Sequence, residues 1–243
     1  IAINNCEIEK ASSLLYKFFW DDFCDWYIEI VKVEFESNPK SEDSKNVICT
    51  ILNDFLILFY PFCPFISSEI LSFHNKNMKE NLIFPEHSKY GRSSIIDFER
   101  FQDFVVAVRS LRKNLLIPPQ DKIKVYVDDE DNFLNRNIQF LKKLAGIDEI
   151  VSTTNPGVRL VTNVSKFYKV SFELNDSMNV EEQKAKLLKD LDTIKKDFKR
   201  SDAKLKNKKF MDSAPEDVVQ REKRILLESK RNISNIESIL DQL

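Results

Sequence analysis

Apolar residues recur at intervals of three and four through most of the first 120 residues, which is the spacing of one buried face of an α-helix. The pattern predicts helices over Glu7–Lys32, about Val47–Tyr60, a short stretch after Pro64, and Ile95–Leu116. Pro61 ends the second helix, and Pro118 and Pro119 stop the fourth, because proline cannot continue the hydrogen-bond ladder. The fourth helix carries an apolar stripe of Phe101, Phe104, Val105, Val108, Leu111 and Leu115. The first 120 residues are therefore predicted to form a helical bundle.

The pattern changes at about residue 121. Lys122–Val127 alternates polar and apolar residues, which predicts a strand. A helix follows with Gly146 as its C-cap, and Asn155–Gly157 is predicted to be a turn between two further strand regions. The bounds of these later elements are Phe133–Ala145 for the helix, and 149–154 and 158–174 for the strand regions. We interpret residues 121–178 as a small α/β module.

The C-terminal part of the chain shows the most regular pattern. Two series of positions alternate steps of three and four, which is the seam of a coiled coil. The first seam is Val180, Lys184, Leu187, Leu191, Ile194, Phe198, Ser201 and Leu205; the second is Val219, Glu222, Leu226, Ser229, Ile233, Ile236, Leu240 and Leu243. A polar connection, Asn207–Pro215, lies between them. The pattern predicts an antiparallel hairpin of two helices, 180–206 and 218–243, each roughly 40 Å long.

Composition narrows the class of protein. Hydrophobic residues make up 42% and charged residues 31%, which excludes a disordered chain. Only three glycines occur, so a glycine-rich nucleotide loop is disfavoured and a mainly helical fold is favoured. The longest apolar run, Phe55–Ile66, contains two prolines and is too short to span a bilayer. The four cysteines lack paired spacing, and we expect reduced thiols in a cytoplasmic protein.

No motif indicates catalysis in this chain. There is no GxSxG elbow and no Walker loop. His74 and His87 lie near three glutamates, Glu69, Glu80 and Glu86. A metal or acid–base site there is one interpretation, but two scattered histidines are more often surface residues. We expect no catalytic residue, no metal site and no cofactor here.

Basic side chains offer a better indication of function. Residues 181–243 contain 16 basic and 13 acidic residues, whereas the first 180 contain 21 and 26. Cations crowd toward the connection of the predicted hairpin, and three more share a face late in the fourth helix. We predict phosphate contacts from Arg109, Arg112, Lys113, Lys195, Lys199, Arg200, Lys204, Lys206, Lys208, Lys209, Arg221 and Arg224. The alternatives are cations that complement a helix dipole, and a solvated coiled-coil face.

Four segments resemble class I valyl-tRNA synthetases, in matching order. Tyr16–Lys32 resembles a helix that reads (Y/F)xFxWxxFCDWYxExxK. Leu58–Glu69 resembles LxHPFMPFITEE, with Tyr60 in place of the histidine. Arg109–Lys113 and the following proline pair are similar to an RxxR…PP stretch. Leu205–Val219 matches LxNxxFxxxAPxxVV, which narrows the resemblance to the valine enzyme.

The resemblance implies a mainly α architecture in three parts. These are an anticodon-binding helical bundle over 1–120 without its first helices, a small α/β junction module over 121–178, and an antiparallel coiled-coil tRNA-binding arm over 179–243. It implies tRNA(Val) and the catalytic and editing domains of the same polypeptide as partners, in a cytoplasmic and monomeric parent ligase. Such a parent uses ATP and Mg²⁺ through HIGH and KMSKS motifs, and neither motif occurs in these 243 residues.

We therefore expect a non-catalytic portion of a valine–tRNA ligase that positions tRNA(Val) for aminoacylation. Because residue 1 is isoleucine, we expect the chain to begin partway into a longer polypeptide. Two alternatives stay open at this point. One is a structural module that binds a protein partner through its coiled coil, and the other is the equivalent portion of an isoleucyl- or leucyl-tRNA synthetase.

Overall fold

A computed structural model describes residues 7–74, 92–152, 160–174 and 180–243. The chain forms two compact units, Ile1–Gly91 and Arg92–Leu243. Within the described ranges, no helix combines the length and apolar character that crossing a membrane requires.

Unit 1 is helical throughout its described part. Its first helix runs without a break from residue 8 to residue 37, but its central part is π-helical. Two further helices follow, and Ser41 caps the first of them by accepting a hydrogen bond from the Ser44 amide at 3.4 Å. The elements are α1 (Ile8–Lys17), the π segment (Phe18–Ile28), α2 (Glu29–Ser37), α3 (Glu42–Phe59) and α4 (Pro64–His74). The helices predicted for this part of the chain are confirmed.

The π segment differs in its turn from the α-helical segments on either side of it. A π-helix bonds each residue to the fifth one along, so its turn is wider than that of an α-helix. Phe19, Phe23 and Tyr27, spaced by four, stack on one another with ring centroids 5.7 and 5.9 Å apart. Phe18, next to Phe19 in the same segment, is exposed.

The core of unit 1 lies between the π segment and helices α3 and α4. Phe55, Leu56 and Leu71 are buried there, and Phe19 stacks on Phe55 with a centroid distance of 4.3 Å. Much of the surrounding apolar surface is not covered within the unit; Phe65, for example, is 90% exposed. The unit therefore has a small aromatic core and a partly apolar surface.

Unit 2 is built on a four-stranded sheet with the strand order β2-β1-β4-β3. Strand β1 is parallel to β2 and antiparallel to β4, which pairs with β3 in turn. The parallel pair needs a crossover, and two short helices supply it. The elements are β1 (Ile123–Tyr126), α6 (Phe133–Arg136), α7 (Ile138–Leu144), β2 (Ile147–Val151), β3 (Leu160–Val164) and β4 (Lys169–Glu173).

The predicted α/β module is confirmed, with one correction. The helix expected over Phe133–Ala145 is two helices that meet at Asn137. Gly146 follows α7 with a positive φ of 68°, a left-handed conformation that suits glycine after a helix end. The predicted turn at Asn155–Gly157 lies outside the described residues.

Helix α5 (Arg92–Asn114) packs on the sheet and is the central helix of unit 2. All six residues of its predicted stripe are buried, and Phe104, Val105, Val108 and Leu111 are completely so. Asn163 of β3 donates from its side chain to the Ala107 carbonyl at 3.2 Å, which ties the edge strand to the helix.

Three helices make up the C-terminal arm. They are α8 (Val180–Lys206), the short α9 (Lys208–Ser213) and α10 (Glu216–Gln242). The long helices are antiparallel, because Lys195 pairs with Glu237 while Lys204 pairs with Glu222. Every predicted seam position is buried or half-buried, so the two antiparallel helices are confirmed, and their coiled-coil packing stays a prediction. The connection, expected to be a polar turn, contains a helical turn capped by the Asn207 side chain.

The root of the arm is joined to α5 and the sheet. The buried Gln183 side chain donates to the Leu115 carbonyl at 2.7 Å. Gln242 accepts a hydrogen bond from the Thr162 amide of β3, also at 2.7 Å. Helix α5 therefore lies within unit 2, whereas the sequence-based boundary near residue 120 placed it with the N-terminal bundle. The three-part division by function stays a prediction.

Candidate nucleic-acid interface

Eleven cations lie near the end of the arm where α9 connects the long helices, and we call them the arm-end cations. They are Lys195, Lys196, Lys199, Arg200, Lys204, Lys206, Lys208, Lys209, Arg221, Lys223 and Arg224. All of them are exposed. Helix periodicity places them on outward positions because the seam positions face the partner helix.

Four arm-end cations are neutralised by carboxylates. Lys195 and Lys204 form ion pairs between the long helices, at 2.7 and 2.5 Å. Lys196 pairs with Asp192 and Lys206 with Asp202, each one helical turn away on α8. These four side chains stabilise the arm itself, although such exposed pairs contribute little individually.

Seven arm-end cations form no ion pair with any carboxylate among the residues whose side chains the structure describes. They are Lys199, Arg200, Lys208, Lys209, Arg221, Lys223 and Arg224. Their charges are exposed and uncompensated at contact distance. An anionic polymer is therefore attracted to this end of the arm more strongly than the overall charge of −2 suggests.

A polar layer in the seam supports the charged end. Glu222 is buried between the helices. Hydrogen bonds lower the pKa of its carboxyl, the one from Lys204 more strongly than the one from Ser201. Its second oxygen, Oε2, has no hydrogen-bond partner within the described structure. Because a buried carboxylate is costly unless paired, this layer favours the one register in which Lys204 reaches Glu222.

The predicted cations of α5 are placed very differently from one another. Arg112 is only 6% exposed, and its two terminal nitrogens donate to the carbonyls of Gly146 (2.9 Å) and Pro118. Burial lowers its pKa from the ordinary value, with Asp121 opposing the shift. Arg109 is exposed and donates from Nε to the Leu144 carbonyl at 2.9 Å. Arg112 therefore holds the fold together, and its contact with RNA stays a prediction.

Sequence reasoning missed the residues that hold unit 2 in shape. Asp103 of α5 accepts from the Ser165 hydroxyl and from the Phe167 amide in the β3–β4 turn, and Arg231 of α10 approaches it at 3.9 Å. No local motif marks Asp103, because its partners lie 62 residues or more along the chain. Asp103 therefore joins α5 to the β3–β4 turn and to α10.

A second missed contact ties α5 to the loop before α6. Arg100 forms a bidentate ion pair with Asp131, at 2.7 and 2.8 Å. The guanidinium holds the pKa of Asp131 well below its ordinary range, at about 2. Arg100 also donates to the Tyr168 hydroxyl at 3.1 Å and lies over the Phe133 ring. The charge of Arg100 is therefore used within the fold.

Most of the histidine-containing segment lies outside the described residues. His87, Glu80 and Glu86 lie outside the described residues, as does the side chain of His74. Within the described ranges, no group of three or more histidine, cysteine and acidic side chains is placed to hold a metal ion.

A family model described as "Anticodon-binding domain of tRNA ligase" matches residues 1–127, which is more than half of the chain. The chain therefore belongs to the tRNA ligases that carry this anticodon-binding domain. A second model, described as "Valyl tRNA synthetase tRNA binding arm", matches residues 179–243. That range contains the whole two-helix arm and all arm-end cations.

Similar curated proteins include several valine–tRNA ligases. Those of Petrotoga mobilis and Thermotoga maritima are each 29% identical to this chain, over 97% and 100% of its length. The Treponema denticola protein is 28% identical over 99%. The chain spans about 28% of the length of the first two relatives. The predicted resemblance to valyl-tRNA synthetases is confirmed.

Proposed function

We propose that this chain is the tRNA-binding portion of a valine–tRNA ligase and positions tRNA(Val) for aminoacylation elsewhere in the polypeptide. The observation that carries the proposal is the group of seven exposed, uncompensated cations at the end of an arm matched by a tRNA-binding family model. The choice of valine rather than isoleucine or leucine rests on the names of the relatives.

The arm suits recognition of RNA through its backbone. Duplex RNA is recognised mostly by shape and by contacts to phosphates and 2′-hydroxyls, because its deep major groove is closed to side chains. Lysine and arginine on a stiff two-helix arm meet that requirement without reading bases. Helices of 27 residues extend about 40 Å, which lets the arm run along the outer side of an L-shaped tRNA toward its elbow.

The catalytic activity of the ligase is also part of this proposal. ATP and Mg²⁺ would be used by a catalytic domain elsewhere in the polypeptide, in a monomeric and cytoplasmic enzyme. Purified on its own, this chain is expected to show no valine-dependent pyrophosphate exchange. Measurable exchange would contradict the assignment of catalysis to another part of the polypeptide.

The test is a salt titration of tRNA(Val) binding to the full chain, followed by fluorescence anisotropy. If about four phosphates are neutralised, log affinity should fall against log salt with a slope of roughly −3 to −4. Changing Lys199, Arg200 and Arg224 to glutamine should flatten the slope by about 2 to 3, because each removes roughly one phosphate contact.

A matched control removes the same charge from paired positions. The triple variant of Lys195, Lys196 and Lys206 to glutamine alters three cations that already have carboxylate partners. It should flatten the slope by less than about 1. No binding to tRNA, or binding independent of salt, would overturn the proposal. Salt-independent self-association would support a protein-interaction module instead.

A further inference from the structure

Helix α10 carries a second regular pattern, besides the seam that faces α8. Two lysine–arginine pairs, Lys223–Arg224 and Lys230–Arg231, lie seven residues apart, which is about two helical turns. Leu227 lies between them and is 71% exposed. Because residues seven apart return to nearly the same face of a helix, the two pairs and Leu227 form one line along α10, which we call the α10 stripe.

The α10 stripe is distinct from the seam and runs parallel to it. Its positions avoid those of the seam, which include Leu226, Ser229 and Ile233. A pattern that repeats every seven residues stays aligned with a seam of the same period. Since Lys223 and Arg224 are themselves arm-end cations, the stripe leads from the arm end toward the root.

The positive charge of the α10 stripe is only partly compensated. Arg231 approaches Asp103 at 3.9 Å, which is close to the longest distance of an ion pair. Among the residues whose side chains the structure describes, Lys223, Arg224 and Lys230 have no ion-pair partner. All four basic side chains of the stripe are exposed. The stripe therefore presents positive charge to an anionic partner.

The α10 stripe ends in a cavity of about 770 Å³ between α10 and the edge strand β3. Lys230 and Arg231 are the charged residues of its lining, and no carboxylate of the described residues lines it. Leu227 and Val164 supply apolar surface, and Val164 is 53% exposed. The rest of the lining consists of serine and threonine residues and of Asn235. The cavity therefore combines positive charge, apolar surface and neutral hydrogen-bonding groups.

Two neutral side chains of the cavity are available for hydrogen bonding. Within the described structure, the Ser234 hydroxyl and the Asn235 amide have no hydrogen-bond partner. An amide offers both donors and an acceptor, and a hydroxyl does so too, which suits the 2′-hydroxyl of a ribose. The Lys230 ammonium suits a phosphate, because a charge-assisted hydrogen bond is stronger than a neutral one. The sugar–phosphate strand of RNA matches these groups together.

We propose that the RNA contact of the arm continues along the α10 stripe into this cavity, which binds a stretch of tRNA backbone; this rests on the proposed function. Lys230 contacts a phosphate. Ser234 and Asn235 bond to the 2′-hydroxyl of an adjoining ribose, and Leu227 packs against that ribose. Lys230 and Asn235 are binding residues that the sequence analysis did not indicate.

The phosphate contact is tested by the salt slope of tRNA(Val) binding to the full chain. Lys230→Gln should flatten the slope by about 1, because one phosphate contact is lost, whereas Lys230→Arg keeps the charge and should leave the slope unchanged. Lys189→Gln is the matched control. Lys189 is exposed on α8, has no ion-pair partner among the described residues and does not line the cavity, so its replacement should leave the slope unchanged.

The ribose contact is tested by 2′-deoxy interference, in which tRNA(Val) with scattered 2′-deoxy substitutions is selected for binding. The unaltered chain should reject at least one substitution that Asn235→Ala tolerates. Asn235→Ala should weaken binding by about two- to tenfold, which corresponds to one hydrogen bond, and should leave the salt slope unchanged. Asn232→Ala is the control, because Asn232 lies on the same helix but does not line this cavity.

The outcomes separate this inference from the proposed function. If Lys230→Gln and Lys189→Gln give the same slope while the triple variant of Lys199, Arg200 and Arg224 flattens it, the cavity proposal is overturned and the proposed function stands. If the triple variant also leaves the slope unchanged, the proposed function fails as well. Identical 2′-deoxy interference patterns for Asn235→Ala and the unaltered chain would overturn the ribose contact.

Discussion

The two units of this chain differ in how many of their apolar side chains are buried. Among the described residues, unit 1 buries six apolar side chains and unit 2 buries twenty-six. Both have regular apolar stripes on their helices. In unit 2 the α5 stripe is covered by a sheet and the root of a two-helix arm, whereas in unit 1 Phe65 and Phe73 are largely exposed. A stripe predicts which face of a helix is apolar, but the neighbouring layers determine whether that face is buried.

The difference in burial between the two units is tested most strongly by replacing one phenylalanine in each unit with alanine. Phe104→Ala should lower the free energy of unfolding of unit 2 by about 3–5 kcal/mol, because the side chain is completely buried and leaves a cavity. Phe65→Ala in unit 1 should cost less than about 0.5 kcal/mol, because its ring is exposed. Chemical denaturation with one fluorescent probe in each unit measures both effects. Equal costs would show that the difference in burial has no energetic consequence.

A second test asks whether the arm shares the stability of unit 2. Leu191→Asp puts a carboxylate into the seam and should cost about 2–4 kcal/mol, limited by local unfolding of the arm. Leu188→Asp is the matched control, since Leu188 lies on the same helix and is 56% exposed. Hydrogen exchange should show loss of protection in α8 and α10 but not in α5. Loss of protection in α5 as well would mean that the arm and α5 unfold together.

The smallest expected effect is a pH dependence of the stability of unit 2. The pKa of Asp131 is lowered from 3.8 to about 2 by Arg100, so its contribution to stability is complete above the ordinary value and is lost as pH falls toward 2. Asp131→Asn should therefore lower the Tm of unit 2 at pH 7, and the difference from the unaltered chain should disappear near pH 2. Thermal unfolding followed between pH 7 and pH 2 measures this difference. A Tm difference for Asp131→Asn that is constant down to pH 2 would contradict the assignment.

The sequence predicted the arm well because its signal is local and repeated. Leu187, Leu191 and Ile236 are buried where the steps of three and four placed them. The π segment was missed because Phe19 and Phe23 suit the i, i+4 spacing of either helix type. The stacking of these two rings distinguishes a π-helix from an α-helix only once the backbone is known.

The contacts that hold unit 2 together could not be predicted from spacing. Arg100 and Asp131 are 31 residues apart, and Asn163 reaches a carbonyl 56 residues away. Arg112 illustrates the same limit for the interface. Its helix position indicated an exposed phosphate contact, but the end of α7 folds over it and supplies the Gly146 carbonyl. Only the tertiary arrangement distinguishes a cation that is available to RNA from one that is enclosed by backbone.

The arm is anchored at its root by Gln183, Gln242 and the Arg231–Asp103 ion pair, so it behaves as a rod that is fixed at one end. Over about 40 Å, a rotation of about 5° at the root displaces the far end by about 3.5 Å. That displacement is longer than a hydrogen bond, so it is enough to break a contact with a phosphate. If the arm-end cations contact RNA as proposed, the accuracy of those contacts would depend on a few side chains at the root, and loosening the root would misalign the arm-end cations without altering any of them.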